Sequence, residues 1–376
     1  MTKPTIKIAI ADWWDRSNQK EYIHENDIIK LLSPYYNFVY DEKPDFLLHS
    51  VFGSNHLSYQ HPCIKIFYTG ENVRTDWNLC DYGVDFDFLN FGNRHLYLPL
   101  FALPECAKDL ENALIKHQCD EKILEQKTKF CAFMVTNGGG DPIRGEIFDK
   151  LSMYKKVDSG GQWRNNIGGA IGDRYNDFRT SKYHWLKDYK FHICFENSSY
   201  PGYVTEKLIQ AFRAKCVPIY WGDPTLCDEK YAHYRPIFNP KAFINVHNFD
   251  SLDSVVKEVE RLDNDSQAFL AMLKEPMLLH TPKNQKWLEN TRGGGSNFIL
   301  ISYMIFLITF LLKKYIILIQ MASLLKISSQ ETEIILLYVP CEKRLIMLSF
   351  PSVCVIFLLL INFYHKGYVC KNQGLF

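Results

Sequence analysis

Over the first 290 residues the apolar positions alternate between strand-like and helix-like spacing. Ile6–Ala11 reads as a strand and Glu21–Leu32 as a helix; Asp45–Phe52 and Cys63–Tyr68 read as further strands. Pro99 and Pro104 close this first unit, and the polar stretch from about Lys108 to Lys129 reads as a connector. A second unit opens with the strand Lys129–Val135. The turn Asn137-Gly138-Gly139-Gly140 follows, and Asp141 and Pro142 then supply an N-cap and a favoured first position for a helix through Met153. Phe191, Ile193 and Phe195 alternate with His192 and Cys194 as in a strand, and Asn197–Gly202 breaks regular structure. Helical spacing resumes from Glu206 with Leu208, Ile209, Ala211 and Phe212, capped by Thr205 or Ser199. Val217–Trp221 reads as the next strand, Asn245–Asn248 leads onward, and Ser251–Leu262 reads as a helix. Strands alternating with helices predict parallel sheets covered on both faces.

Composition supports two lobes and changes abruptly after them. The chain has 376 residues and 47% hydrophobic content, enough for sizeable cores. Its 43 basic and 42 acidic side chains argue against nucleic acid as the main partner. Eleven cysteines without CxxC pairs, behind an N-terminus that lacks a signal peptide, predict free thiols in a reducing compartment. Beyond Trp287, Thr291–Ser296 reads as a flexible link and Phe298–Leu312 as a short apolar run. Leu345–Tyr364 has about the 20 residues a bilayer requires. Two readings of this tail stay open: a membrane anchor acting through 298–364, or out-of-frame translation of AT-rich DNA. The lobes are placed at 1–125 and 126–290, with the link and tail at 291–376.

Phe191–Pro224 concentrates the chemistry. At its loop-to-helix junction stand Tyr203, Thr205, Glu206 and Lys207. Open α/β sheets bind ligands at the carboxyl ends of their strands, and a helix start there offers backbone N–H groups to an anion such as a phosphate. Taken singly, Glu206 and Lys207 would be a solvated first turn and Tyr203 a packing aromatic.

Three ordered motifs carry a resemblance: FYTGEN at Phe67–Asn72, SGGQWRNNIG at Ser159–Gly168, and CFENSSYPGYVTEKLIQAF at Cys194–Phe212 followed by VPIYWGDP. On these the chain from Ile6 to about Leu270 resembles the bacterial α-1,3-fucosyltransferases, inverting enzymes of glycosyltransferase family 10. The resemblance implies an α/β GT-B fold: two Rossmann-like lobes facing a cleft, the first for the acceptor and the second for GDP-fucose. It implies transfer of L-fucose to the 3-hydroxyl of N-acetylglucosamine in lactosamine-type glycans, making Lewis antigens on a lipopolysaccharide. The setting it implies is cytoplasmic, at the cytoplasmic face of the inner membrane.

A sugar hydroxyl that attacks an anomeric carbon must lose its proton to a nearby carboxylate. Glu71, at the end of a predicted strand, is the candidate base, and the family carries a glutamate at this position. The departing GDP needs cations, for which Arg164 and Lys207 are the candidates. The resemblance further places Glu206 on the ribose hydroxyls and Asn197 and Tyr203 along the donor pocket. Asp85-Phe86-Asp87 is a D-x-D of the kind that binds Mn²⁺ in other glycosyltransferases. It lies in the acceptor lobe, and a turn or acceptor contact is the stronger reading, so no obligatory metal is expected and Mn²⁺ is at most a stimulant. The rivals are a family-10 enzyme with α-1,4 or another acceptor specificity, and a non-catalytic, membrane-tethered binder of nucleotide sugars or glycans.

Overall fold

Two all-parallel sheets organise the protein, and the central strands Phe46–His49 and Tyr189–Phe195 are buried on both faces almost throughout. A computed structural model describes residues 3–13, 22–114, 121–173, 178–286, 336–339 and 344–347. The described residues from 3 to 286 belong to one compact unit that contains both sheets.

The first sheet has the order β2-β1-β3-β4-β5-β6. Its strands are β1 (Thr5–Ala11), β2 (Asn37–Tyr40), β3 (Phe46–His49), β4 (Ile64–Tyr68), β5 (Tyr82–Asp85) and β6 (His95–Tyr97). Every position of β3 is buried, as a central strand covered on both faces requires. The predicted Glu21–Leu32 helix is shorter than its periodicity suggested. Within it α1 spans Asp27–Leu32, because the side chain of Asn26 accepts from the amides of Ile28 and Ile29 and caps a new start there.

The second sheet has the order β11-β10-β9-β7-β8. It comprises β7 (Lys129–Phe133), β8 (Val157–Ser159), β9 (Tyr189–Phe195), β10 (Val217–Trp221) and β11 (Ile244–Asn245). β9 and β10 run in register from Phe191–Val217 to Phe195–Trp221, so both end together at the cleft. Phe133, Phe191, Ile193, Val217 and Ile219 face one core beneath α4 (Ile143–Tyr154), α7 (Leu252–Asn264) and α8 (Ser266–Lys274). Ala132, Cys194 and Tyr220 face the other, with Leu208, Ile209 and Ala211 of α6 (Glu206–Arg213).

The stretch read as a polar connector is largely structured. It contains α2 (Pro104–Leu114) and α3 (Lys122–Gln126). α2 buries Cys106 and Leu110 and sends the buried carboxylate of Asp109 to Arg213 and to Gln210 Nε2 (3.2 Å) on α6. Its polar residues thus grip the second lobe. The SGGQWRNNIG loop follows β8, and α5 (Phe178–Leu186) then leads into β9.

The described part of 309–376 is an antiparallel pair, β12 (Leu336–Val339) and β13 (Arg344–Met347). The apolar run 298–312 lies outside the described residues, as does Leu345–Tyr364 apart from its first three positions, which are in β13. Among the described residues no helix is long and apolar enough to cross a membrane.

Candidate active site

The first lobe delivers one carboxylate to the cleft. β4 ends at Tyr68, and the hydroxyl of Thr69 accepts from the amide of Glu71 at 2.9 Å, folding the chain into a tight turn. Glu71 is thereby turned toward the second lobe, where Asn197 Nδ2 donates to its Oε2 at 2.9 Å. Asn72 Nδ2 donates to Ser198 Oγ at 2.6 Å alongside. Glu71 Oε1 has no protein donor among the described residues, leaving one carboxylate oxygen available to a substrate hydroxyl.

The partner loop, Asn197–Thr205, is shaped by a backbone that only glycine suits. Gly202 has φ +90°, and a Cβ there would stand 2.2 Å from the Phe86 carbonyl. Tyr97 Oη donates to the Gly202 carbonyl at 3.1 Å, so the first lobe holds this turn from both sides. Tyr203 follows, only 2% exposed, its ring edge-on to Phe86 and its hydroxyl hydrogen-bonded to Asn197. Burial, with Glu196, Glu71 and Glu206 nearby, raises the phenol well above its usual value, so it remains a neutral donor.

Glu196 is the organising residue that the sequence reading passed over. It directly follows β9, has no solvent exposure and is the centre of a charged knot. Its Oε1 accepts from the Thr205 amide at 2.8 Å, and its Oε2 accepts from Thr205 Oγ1 at 2.6 Å and from Lys207 Nζ at 2.9 Å. Thr205 is the N-cap of α6, but its hydroxyl serves Glu196 instead of the helix. The amide and hydroxyl of the N-cap residue thus already serve a protein carboxylate. The signal available in the sequence was an acidic residue closing an apolar strand, in CFEN.

Lys207 lies between these acids. Burial opposes its charge, but Glu196, Glu206 and Glu71 outweigh it and raise its pKa, so it is a permanent cation. Two of its three N–H groups reach Glu196 and Thr205 Oγ1 (2.8 Å), which leaves one for a ligand. Glu206 also carries its charge against burial: Lys207, Lys182 and Arg179 hold its carboxyl at about 2. It is a pure acceptor at neutral pH.

Arg164 and Arg144 both lie over the ring of Trp163, and no hydrogen bond or ion pair among the described residues links Arg164 to this knot. The Arg164 guanidinium pairs with Asp149 on α4 and lies over the rings of Phe148 and Trp163. Arg144, on the first turn of α4, is a further candidate cation, close enough to Glu196 for that carboxylate to favour its charge. It is 5% exposed, its Nε is buried without a hydrogen-bond partner, and its charge is favoured by Glu196 and Tyr203 while burial lowers its pKa. The loop before it is pinned to the donor loop, where the Asp141 amide donates to the Asn197 carbonyl at 2.7 Å. A lone Arg four residues past three glycines gave no sequence signal, because only the fold sets it beside Glu196.

The D-x-D is held by protein groups. Asp85 accepts from His95 Nε2 at 2.7 Å, from the Thr75 amide at 3.1 Å, from the Thr75 hydroxyl and from the Asp87 amide at 2.8 Å. Asp87 takes the fork of Arg74, at 2.7 Å from Nε and 2.6 Å from Nη2. These carboxylates close a turn and an ion pair.

Two family models match this arrangement, one for each lobe: the alpha-(1,3)-fucosyltransferase FucT N-terminal domain over residues 8–104, and the glycosyltransferase family 10 (fucosyltransferase) C-terminal domain over residues 124–289. The chain belongs to glycosyltransferase family 10. Its GT-B fold is that of a crystallised α1,3-fucosyltransferase, matched with a TM-score of 0.64 and 29% identity over 81% of this chain and 90% of that one. A second structure, of α1,3-fucosyltransferase with GDP-fucose, matches with a TM-score of 0.59 and 27% identity over 75% of this chain and 85% of that one. Among curated family-10 relatives, the Helicobacter pylori alpha-(1,3)-fucosyltransferase FucT is 32% identical over 306 residues, 72% of this chain and 60% of its own length. A human 4-galactosyl-N-acetylglucosaminide 3-alpha-L-fucosyltransferase is 28% identical over 165 residues, 44% of this chain and 41% of its own. The chain therefore spans about three-fifths or less of these family-10 proteins.

Proposed function

We propose that this chain is an inverting transferase that moves L-fucose from GDP-fucose to the 3-hydroxyl of N-acetylglucosamine in a lactosamine-type glycan. The observation that carries the reading is the 2.9 Å hydrogen bond from Asn197 to Glu71. It sets a first-lobe carboxylate beside the second-lobe cations, so a base and a leaving-group site share one cleft.

In this reading the acceptor O3–H gives its proton to Glu71 Oε1 as the oxygen attacks C1 of the fucose. The C1–O bond to the β-phosphate breaks on the opposite face, and the anomeric configuration inverts. Positive charge that develops on the sugar ring is met by Glu71. The electron pair leaves with GDP, whose added negative charge is received by Lys207 and Arg144. Tyr203, a neutral donor, hydrogen-bonds a phosphate oxygen, and Glu206 accepts from the ribose hydroxyls. Every step runs on side chains of this chain, without an obligatory metal.

The complex of a related structure with GDP-fucose and the α-1,3 specificity for which the H. pylori relative is named support the donor and the 3-linkage. A bovine relative named as a 4-alpha-L-fucosyltransferase makes the 4-linkage the alternative to test. The test is incubation with GDP-fucose and N-acetyllactosamine followed by linkage analysis of the product. An α-1,3-fucosylated trisaccharide is expected. Transfer to another hydroxyl overturns the linkage, and failure to bind GDP-fucose overturns the donor.

A further inference from the structure

A cavity of about 390 Å³ is lined from both lobes, by Asp87 and Phe88 from the first and by residues that include Tyr200, Lys230, Tyr231 and His233 from the second. That volume is at the small-ligand scale. Its position relative to the reaction centre is fixed by covalent and ionic links. Tyr200 belongs to the same loop as Asn197, which holds Glu71. Three residues beyond Glu71, Arg74 forks onto Asp87, and its guanidinium lies over Tyr200 at 5.5 Å.

The second-lobe wall is the segment Asp228–Arg235, inserted after β10. Arg235 roots it, buried and paired with Asp223 at 2.8 Å. Its aromatic residues then reach across to the first lobe. Phe88 stacks on Tyr231 with centroids 4.3 Å apart, and Tyr234 leans on Phe88 at 5.0 Å. The result is an aromatic recess with polar groups at its rim.

We propose that this recess is a neutral-saccharide subsite that holds the part of the acceptor beyond the reacting sugar, and that Asp228–Arg235 selects the acceptor through it. Pyranose rings present C–H faces with partial positive charge, which suit the negative faces of aromatic rings. Their hydroxyls need edge-on polar partners, which Asp87 and His233 supply. The charge of Asp87 is already matched by Arg74, and the ammonium of Lys230, which also lines the recess, lies over the Tyr231 ring at 5.5 Å. The inference rests on the proposed transferase reading, since it treats the occupant as that reaction's acceptor.

The test measures N-acetyllactosamine binding to the GDP-saturated protein by calorimetry, so it needs no turnover. His233→Ala, at an exposed rim position, and Tyr231→Leu should each weaken disaccharide binding roughly tenfold, about the worth of one aromatic contact. GDP affinity and melting temperature should stay those of the unsubstituted chain, and Tyr231→Trp should restore binding. Disaccharide affinity unchanged in both variants, or no disaccharide binding by the unsubstituted protein, overturns the subsite. A protein that fails to bind GDP contradicts the donor reading itself, which is a separate outcome.

Discussion

Glu71 and Lys207 come from different lobes, yet Lys207 is close enough for the Glu71 carboxylate to help raise its pKa. Neither residue could be assigned a function alone. A carboxylate that ends a strand and a lysine that starts a helix are both common. Asn197, from the lobe that carries Lys207, holds Glu71, and the proposed reaction would use the two as proton acceptor and cation.

The cations can be ranked. Lys207→Ala and Arg144→Ala each remove a charge that faces the donor site, and charge-assisted hydrogen bonds are worth about 1.5–3 kcal/mol. GDP-fucose affinity should fall about ten- to a hundredfold in either variant. Arg164→Ala removes a group engaged with Asp149 and two rings, and its donor affinity should stay within about threefold of the unsubstituted chain. Calorimetric titration with GDP separates the three. A large loss at Arg164 with none at Arg144 would reverse the assignment.

Gly202 and Gly92 form a controlled pair. Both have positive φ, +90° and +58°, but a Cβ meets the Phe86 carbonyl at 2.2 Å only at Gly202, while Gly92 has nothing within 4 Å. Gly92→Ala should cost about 1 kcal/mol of backbone strain. Gly202→Ala should add a clash with the first lobe, lower the melting temperature further and abolish transfer. Equal melting temperatures would show that the crowding at Gly202 relaxes without cost.

Stability should rise with pH between about 4 and 6.5 through His49. This imidazole is 3% exposed, both ring nitrogens lack hydrogen-bond partners, and burial with the stacked His56 beside it lowers its pKa to about 4. Between the folded and unfolded values the unfolded chain binds the extra proton, so acid favours unfolding. Below pH 4 both states are protonated and this contribution stops changing. The displacement is worth about 3 kcal/mol in total. Denaturant titrations at pH 4 and 7 should show a smaller pH dependence for His49→Phe than for the unsubstituted chain. An identical dependence in both would remove His49 from the account.

Much of the frame was legible because burial on both faces of a parallel sheet writes long apolar strands. β9 and β10 carry such runs, and the helix from Glu206 follows a strong 3.6-residue pattern. β2, β5 and β6 are three or four residues long, too short for any period to register. α2 was hidden because Asp109 and its neighbours read as solvent-facing, while the fold pairs them with Arg213. Within the site, Glu71, Asn197, Tyr203, Glu206 and Lys207 stood in contiguous motifs. Glu196 stood in the same motif as Asn197, but its pairing with Thr205 and Lys207 depends on how the loop between them folds back. Arg144 is brought near Glu196 only by the fold.

Transfer should be independent of divalent metal. Asp85 has its acceptor sites filled by His95, Thr75 and the Asp87 amide, and Asp87 is committed to Arg74. Activity should persist in EDTA. Complete loss that Mn²⁺ restores would make these two carboxylates metal ligands.

The central claim is that Glu71 accepts the acceptor's proton while the second lobe alone grips the donor. Glu71→Gln preserves the shape of the side chain and removes the base. Measured together, fucose transfer to N-acetyllactosamine should fall by about 10²–10⁴, while the GDP-fucose dissociation constant changes by no more than about threefold. Transfer at the unsubstituted rate with Gln at position 71 would contradict the account.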